Sequence, residues 1–274
     1  MRTSVQKMLG PLCRLAHLPD GADYQHATRA WMLDRFLAEV DLARMRTVVE
    51  VGCGNGYVCG RLAQRFPRVV DFALNTARID RSLQGRALLV AAAVGQPAIA
   101  VGAADLVIPL LFMEHVPDRI ATLRRLRLLL GPGGRMIRLV PTAWWELFQW
   151  AGFLPDVVRK QARGVTRALA GQRRARKVKL HPDRQTNNPM RAARRSWYSK
   201  MIPRVHGEYC SNIDEILQWR RASWAAQFRA AGLSVTQVVP MGIGSPYGFG
   251  LSRPAGRLPW TGLASTVAYV LEPS

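Results

Sequence analysis

The sequence predicts an α/β protein built on a parallel, doubly wound sheet. Between about residues 46 and 140, short apolar runs alternate with segments that carry apolar residues at helical spacing. This alternation favours parallel strands joined by helices. The chain has 274 residues, 49% of them hydrophobic, which suffices for a sizeable core and fits one domain with additions better than two domains.

The residues ahead of the first strand predict a helix. Between residues 20 and 42, Ala30, Leu33, Leu37 and Val40 follow one another at helical spacing. A helix with this pattern presents one apolar face, which we expect to lie against the sheet.

The first predicted strand ends in a glycine-rich turn. The run Val48 to Val51 is apolar apart from Glu50, and glycines follow at positions 52, 54 and 56. Such a turn needs glycine because the backbone adopts unusual angles and because a side chain would keep a ligand away from the backbone. The segment therefore predicts a strand, a nucleotide-binding turn and a helix. The dehydrogenase fingerprint is disfavoured, since its third glycine would fall one position later, at Tyr57.

The segment from Ala87 to Ala104 is apolar and long enough to raise the question of a membrane span. Glycines and Pro97 divide it into pieces of strand length. We therefore expect a buried parallel strand 3 and its connection rather than a membrane helix.

The last third of the chain predicts a helix and two strands. Asn212 followed by Glu215 is typical of a capping box at the start of a helix. Leu233 to Val239 predicts strand 6, and Thr266 to Leu271 predicts a final antiparallel strand. The apolar positions of the predicted helix are Ile213, Ile216, Leu217, Trp224 and Phe228.

Three motifs in this order resemble the class I S-adenosylmethionine-dependent methyltransferases, specifically the bacterial methyltransferase type 11 group. They are the E-x-G-x-G-x-G turn, the pair AADLVIPLLFMEHVPD (Ala103 to Asp118) and LLGPGGRMIRLVP (Leu129 to Pro141), and the segment from His206 to Val235. The resemblance implies a single methyltransferase domain over residues 1–274 with a Rossmann-like, seven-stranded, doubly wound sheet. It leaves residues 1–42 as a helical extension, and residues 142–205 as an aromatic and basic helical insertion between strand 5 and the next helix.

The resemblance also implies S-adenosylmethionine as cofactor and assigns site residues. Methyl transfer is an in-line displacement, so the protein mainly holds donor and acceptor in line and excludes water. His115 is the catalytic candidate, because a histidine accepts protons near neutral pH; a structural histidine is the alternative. His206, Glu208 and Tyr209 are candidates for contact with the acceptor, with a plain loop as the alternative. The cofactor candidates are Glu50, Gly52, Cys53, Gly54, Asn55, Gly56, Asp71 and Glu114.

Two acids of the family pattern are missing. The family has an acid at the end of strand 2 that binds the ribose hydroxyls, and this chain has Ala73 there. Asp71 shares its strand face but lies about 7 Å back along the strand. After strand 3, where the family often has an acid near the adenine, the chain has alanines at positions 91 to 93.

The formal charge is +21 and is concentrated in one tract. Between Arg159 and Arg204 the only acid is Asp183. An aromatic segment, residues 144–154, precedes the tract, and aromatics beside cations suit an anionic membrane interface. RNA and an ordinary solvated face are the alternatives. The fifteen basic residues are Arg159, Lys160, Arg163, Arg167, Arg173, Arg174, Arg176, Lys177, Lys179, Arg184, Arg191, Arg194, Arg195, Lys200 and Arg204.

The sequence thus predicts an enzyme that methylates an oxygen or nitrogen of a small-molecule, glycan or lipid-linked acceptor. An RNA methyltransferase and a catalytically silent domain that binds a membrane or partner are the alternatives. Four cysteines without metal-like clustering indicate reduced thiols and no metal site. The amino terminus lacks a secretory signal pattern, so we expect a cytoplasmic protein that attaches to the inner face of the membrane.

Overall fold

The computed structural model describes residues 24–52, 56–73, 87–91, 99–110, 112–150, 205, 208–242 and 261–274. These residues form a seven-stranded sheet in the order β3-β2-β1-β4-β5-β7-β6, with helices on both sides. The strands are β1 (Thr47–Val51), β2 (Arg68–Ala73), β3 (Leu88–Ala91), β4 (Ala104–Ile108), β5 (Leu130–Pro141), β6 (Leu233–Pro240) and β7 (Thr266–Pro273). The helices are α1 (Tyr24–Glu39), α2 (Tyr57–Leu62), α3 (Arg119–Leu128), α4 (143–150), α5 (Asn212–Gln218) and α6 (Arg221–Ala230).

The sheet confirms the predicted doubly wound architecture. Strands β1 to β5 run parallel, and β7 pairs antiparallel with both β5 and β6. The helical part of the predicted insertion beyond residue 150 and the first 23 residues of the predicted extension lie outside the described residues.

Alternate residues of the strands pack into two cores, one on each face of the sheet. On one face, Val48 packs with Phe36 of α1 and Leu62 of α2. On the other face, Val49 packs in one cluster with Leu123 of α3 and Phe228 of α6. The period of two along the strand therefore decides which helices each side chain meets.

Stacked aromatic rings fill the second core beyond β5. The rings of Trp145 and Trp219 stack with centroids 5.1 Å apart, and Tyr209 meets Trp219 edge-on. Trp219 Nε1 donates a hydrogen bond to the hydroxyl oxygen of Tyr209 at 2.7 Å. The apolar area of these rings contributes the packing, and the polar tips of Trp219 and Tyr209 pair with each other inside the core.

Two arginines continue this aromatic layer. The guanidinium carbon of Arg119 lies 4.4 Å from the ring centre of Tyr209, and that of Arg138 lies 4.5 Å from the ring centre of Trp224. Arg138 is fully buried in the middle of β5. Contacts between a guanidinium and ring faces stabilise such a buried cation.

The capping residue and the length of the helix after the insertion were predicted wrongly. The N-cap of α5 is Ser211, whose hydroxyl accepts a hydrogen bond from the amide of Asp214 at 3.1 Å. The helix ends at Gln218 and a second helix starts at Arg221. Trp219, at the break, packs into the aromatic layer. Ile213, which was predicted on an apolar helix face, is 71% exposed.

Strand β3 is less buried than its apolar sequence predicted. It lies at the edge of the sheet, paired with β2 alone, and Leu88 is 58% exposed. In the described part of the chain, none of the helices combines the length and apolar character that crossing a bilayer requires.

Neighbouring tryptophans provide a matched test of the aromatic layer. Trp145 is 1% exposed and stacked on Trp219, whereas Trp144 is 37% exposed. We expect Trp145→Ala to lower the free energy of unfolding in urea by about 3–5 kcal/mol, because the cavity cannot close fully. Trp144→Ala should change it by less than about 1 kcal/mol. Equal losses in the two variants would contradict this assignment of the core.

Candidate active site

The glycine turn lies at the point where the strand order reverses. Strand β1 pairs with β2 on one side and β4 on the other, and open α/β sheets bind ligands in the crevice at such a point, beyond the carboxyl ends of the strands. The φ angles of Gly52 and Gly56 are +86° and +83°, values that residues with a side chain rarely adopt. The intervening candidates Cys53, Gly54 and Asn55 lie outside the described residues.

Phe112 closes against the first glycine of this turn. A Cβ atom on Gly52 would lie 2.8 Å from Cδ2 of the Phe112 ring. The ring is half-buried and packs against the second core, the cluster that contains Val49. Sequence reasoning missed Phe112; its place just after β4, at the same edge of the sheet as the glycine turn, is the signal that could have identified it.

Glu50 and Asp71 lie side by side beneath the turn. They are register partners on β1 and β2, and both are buried. Burial, and next the Asp71 carboxylate, raises the pKa of Glu50 well above its ordinary value, while Arg29 offsets part of the rise. Burial and then these two carboxylates also raise the pKa of the Cys59 thiol. The structure therefore brings two of the predicted cofactor residues together, inside the sheet.

Asp71 does not stand at the end of its strand. Ala73 is the last residue of β2 and pairs with Ala91, the last residue of β3. Both positions where the sequence departs from the family pattern thus lie at the carboxyl edge, whereas the Asp71 carboxyl lies deeper and is fully buried.

Glu114 and His115 belong to a short 3-10 turn that follows β4, Met113–His115. The backbone amide of His115 donates to the carbonyl of Phe112 at 3.1 Å, and Arg119 Nε donates to the carbonyl of Met113 at 3.3 Å. His115 is exposed, so its imidazole can exchange protons with solvent. The side chain of Glu114 lies outside the description.

The three acceptor candidates differ in placement. Glu208 is exposed. Tyr209 is buried beneath the Arg119 guanidinium and bonded to Trp219, an arrangement that favours packing. His206 lies outside the described residues.

Glu146 on α4 is a buried acid that sequence reasoning missed. Its Oε1 accepts hydrogen bonds from Trp150 Nε1 and Asn212 Nδ2, each at 2.9 Å. Burial raises the pKa of its carboxyl, and the two hydrogen bonds offset part of the rise. Glu146 therefore ties the helix after β5 to the start of α5.

The described residues hold no cluster of three or more His, Cys, Asp or Glu side chains that would bind a metal. The candidate site thus consists of a glycine turn, a carboxyl pair below it, and the Phe112 ring and His115 beside it.

A family model described as "Methyltransferase domain" matches residues 24–238. The chain belongs to this family. It is a methyltransferase that uses S-adenosylmethionine as methyl donor. No curated protein sequence matches the methyltransferase.

One solved structure with a TM-score above 0.5 shares the fold, and others are similar to the chain. A candidate S-adenosylmethionine-dependent methyltransferase from Listeria monocytogenes superposes with a TM-score of 0.52 at 11% identity, over 90% of this chain and 99% of that one. A SAM-dependent methyltransferase from Aquifex aeolicus has a TM-score of 0.48 at 10% identity, over 97% and 95% of the two chains. Geranyl diphosphate methyltransferase in complex with SAM has a TM-score of 0.48 at 12% identity, over 91% and 85%.

The described residues fit the cofactor at the turn. Gly52 is exposed at the carboxyl edge and adopts a φ that residues with a side chain rarely take. At the end of β2, where the sequence resemblance implies a ribose-binding acid, Ala73 supplies no carboxylate. The bound cofactor would supply an electrophilic methyl group on a sulfonium, and the turn would hold its amino-acid end.

The carboxyl pair generates a prediction on pH. Below the ordinary pKa of a glutamic acid, Glu50 is protonated in the folded and unfolded states alike. As the pH rises above that value the unfolded chain ionises first, so the free energy of unfolding falls until the pH passes the raised folded pKa. We expect Glu50→Gln to remove this loss, so that the variant gains stability relative to the unsubstituted protein as the pH rises above the ordinary pKa of a glutamic acid.

Urea unfolding across that pH range measures the effect. The difference between Glu50→Gln and the unchanged protein should grow with pH. A difference that stays constant over the whole range would mean that Glu50 ionises normally in the folded protein.

Proposed function

We propose that the methyltransferase modifies an oxygen or nitrogen of a small-molecule, glycan or lipid-linked acceptor at the inner surface of the membrane. The observation that carries the proposal is the glycine turn at the reversal of strand order, where Gly52 adopts a φ of +86° against the ring of Phe112. The turn holds the donor, and the segments that follow β4 and β5 provide the acceptor side.

The residues after β4 offer the chemistry for a hydroxyl or amine acceptor. As the acceptor lone pair attacks the methyl carbon, the acceptor must lose a proton. His115 lies three residues beyond Phe112, in the 3-10 turn held by Arg119, and an exposed imidazole can take that proton to solvent. Glu208, exposed after the insertion, is the further acceptor-side candidate.

Exposed apolar groups on α4 support attachment to a membrane. Trp144 and Leu147 are 37% and 46% exposed on this helix, and the basic tract follows it in the sequence. Each lysine or arginine near an anionic bilayer contributes about 1 kcal/mol, so four or five of the fifteen suffice for peripheral binding. The same tract is the observation that favours RNA as a second candidate, because basic charge dominates binding to phosphates.

Cofactor binding tests the enzyme assignment. Gly52→Ala should weaken binding of S-adenosylmethionine and S-adenosylhomocysteine by more than about tenfold in calorimetry, since the new methyl group meets Phe112 and strains a positive φ. Gly133→Ala is the matched control, because Gly133 has a φ of +70° with nothing within 4 Å of the added Cβ. The Gly133→Ala variant should lose stability but keep its affinity for both ligands. If the protein without a substitution is folded but binds neither ligand, the hypothesis of a catalytically silent domain is favoured.

Vesicle binding tests the location. We expect co-sedimentation with anionic vesicles that weakens as salt rises, because exposed charges are screened over about 10 Å at 0.1 M. Trp144→Ala should weaken it further, whereas Val238→Ala, at a similarly exposed valine on β6, should not. Equal binding to neutral and anionic vesicles would contradict an electrostatic contribution to membrane attachment. Tight binding to structured RNA without binding to lipid would establish the second candidate.

A further inference from the structure

We propose that Phe112 is a specificity-determining residue that favours the cationic methyl donor over its neutral product. This inference rests on the proposed binding of S-adenosylmethionine at the glycine turn. It assigns to the ring a contact with the sulfonium, the group whose charge changes in the reaction.

The position of the ring is set by the turn itself. Cδ2, Cγ and Cβ of Phe112 lie 2.8, 3.2 and 3.3 Å from the point that a Cβ atom on Gly52 would occupy. The ring thus borders the backbone that approaches the ligand most closely. Phe112 is half-buried: it packs against the second core, and part of its surface is exposed. We expect a ligand on the turn to meet this ring.

Among the side chains that the structure describes next to the turn, the two acids lie inside the sheet. The whole chain carries a formal charge of +21, and β2 ends in Ala73 rather than an acid. Asp71 and Glu50 lie buried within the sheet, and the shared site holds the Glu50 carboxyl toward its neutral form. A ring that attracts cations adds support at the turn itself, without a further buried charge.

Methyl transfer removes the charge that the ring attracts. The acceptor lone pair forms the new bond to the methyl carbon, the bonding pair of the carbon–sulfur bond stays on sulfur, and the acceptor proton passes to a base or to solvent. The sulfonium becomes a neutral thioether. The face of an aromatic ring attracts a cation more strongly than a neutral thioether. The ring therefore stabilises the bound donor and lets the product leave.

Calorimetry with S-adenosylmethionine and S-adenosylhomocysteine tests the inference on the full chain. Phe112→Leu removes the ring and keeps an apolar side chain. It should weaken donor binding about three- to thirtyfold and leave product binding within about twofold, so that the ratio of the two dissociation constants shifts. Phe112→Tyr keeps the ring and should retain the ratio.

Phe148→Leu is the matched control, because Phe148 is a half-buried aromatic on α4 with its ring beside Trp144; it should change neither affinity. If Phe112→Leu fails to fold, Phe112→Met provides the same test with a side chain that adapts to the core. Equal loss of both affinities, or no change in either, would overturn the inference while the proposed cofactor site stands. If the folded protein without a substitution binds neither ligand in calorimetry, both the proposed function and the inference are overturned.

Discussion

The close approach of Phe112 to Gly52 joins the segments that follow β4 and β1 at the carboxyl edge of the sheet. Only a residue without a side chain allows it, since an added Cβ would lie 2.8 Å from the ring. From this contact a continuous series of interactions runs through the molecule. The 3-10 turn after Phe112 is bonded to Arg119, Arg119 lies over Tyr209, and Tyr209 is bonded to Trp219. The glycine turn is thereby connected to the core that holds the helices after β5.

The distribution of charge separates two kinds of site. Glu50 and Asp71 are buried as a pair beneath the turn, and burial together with the Asp71 carboxylate raises the pKa of Glu50. The basic excess is concentrated in a tract that follows the exposed Trp144 and Leu147. The proposed donor site thus relies on backbone and ring contacts, and the proposal assigns the long-range attraction of anionic partners to the basic tract.

Local sequence signals predicted the elements that depend on neighbours in the chain. The apolar run before Gly52 predicted β1, and the strand-forming runs from Leu233 and Thr266 predicted β6 and β7 within two residues of their bounds. The contacts that build the site join distant residues, such as Gly52 with Phe112 and Glu146 with Asn212. Periodicity carries no information on those pairs. The capping-box pattern also placed the N-cap one residue late, at Asn212 instead of Ser211, because both are good N-cap residues.

A crystal structure of the complex with S-adenosylhomocysteine tests the central claim most directly. The account predicts the amino-acid end of the ligand on the turn from Gly52 to Gly56, with the sulfur in contact with the Phe112 ring and the ribose over the end of β2 near Ala73. A ligand bound elsewhere on the sheet, or a Phe112 ring that still fills the turn while the ligand lies outside it, would contradict the account.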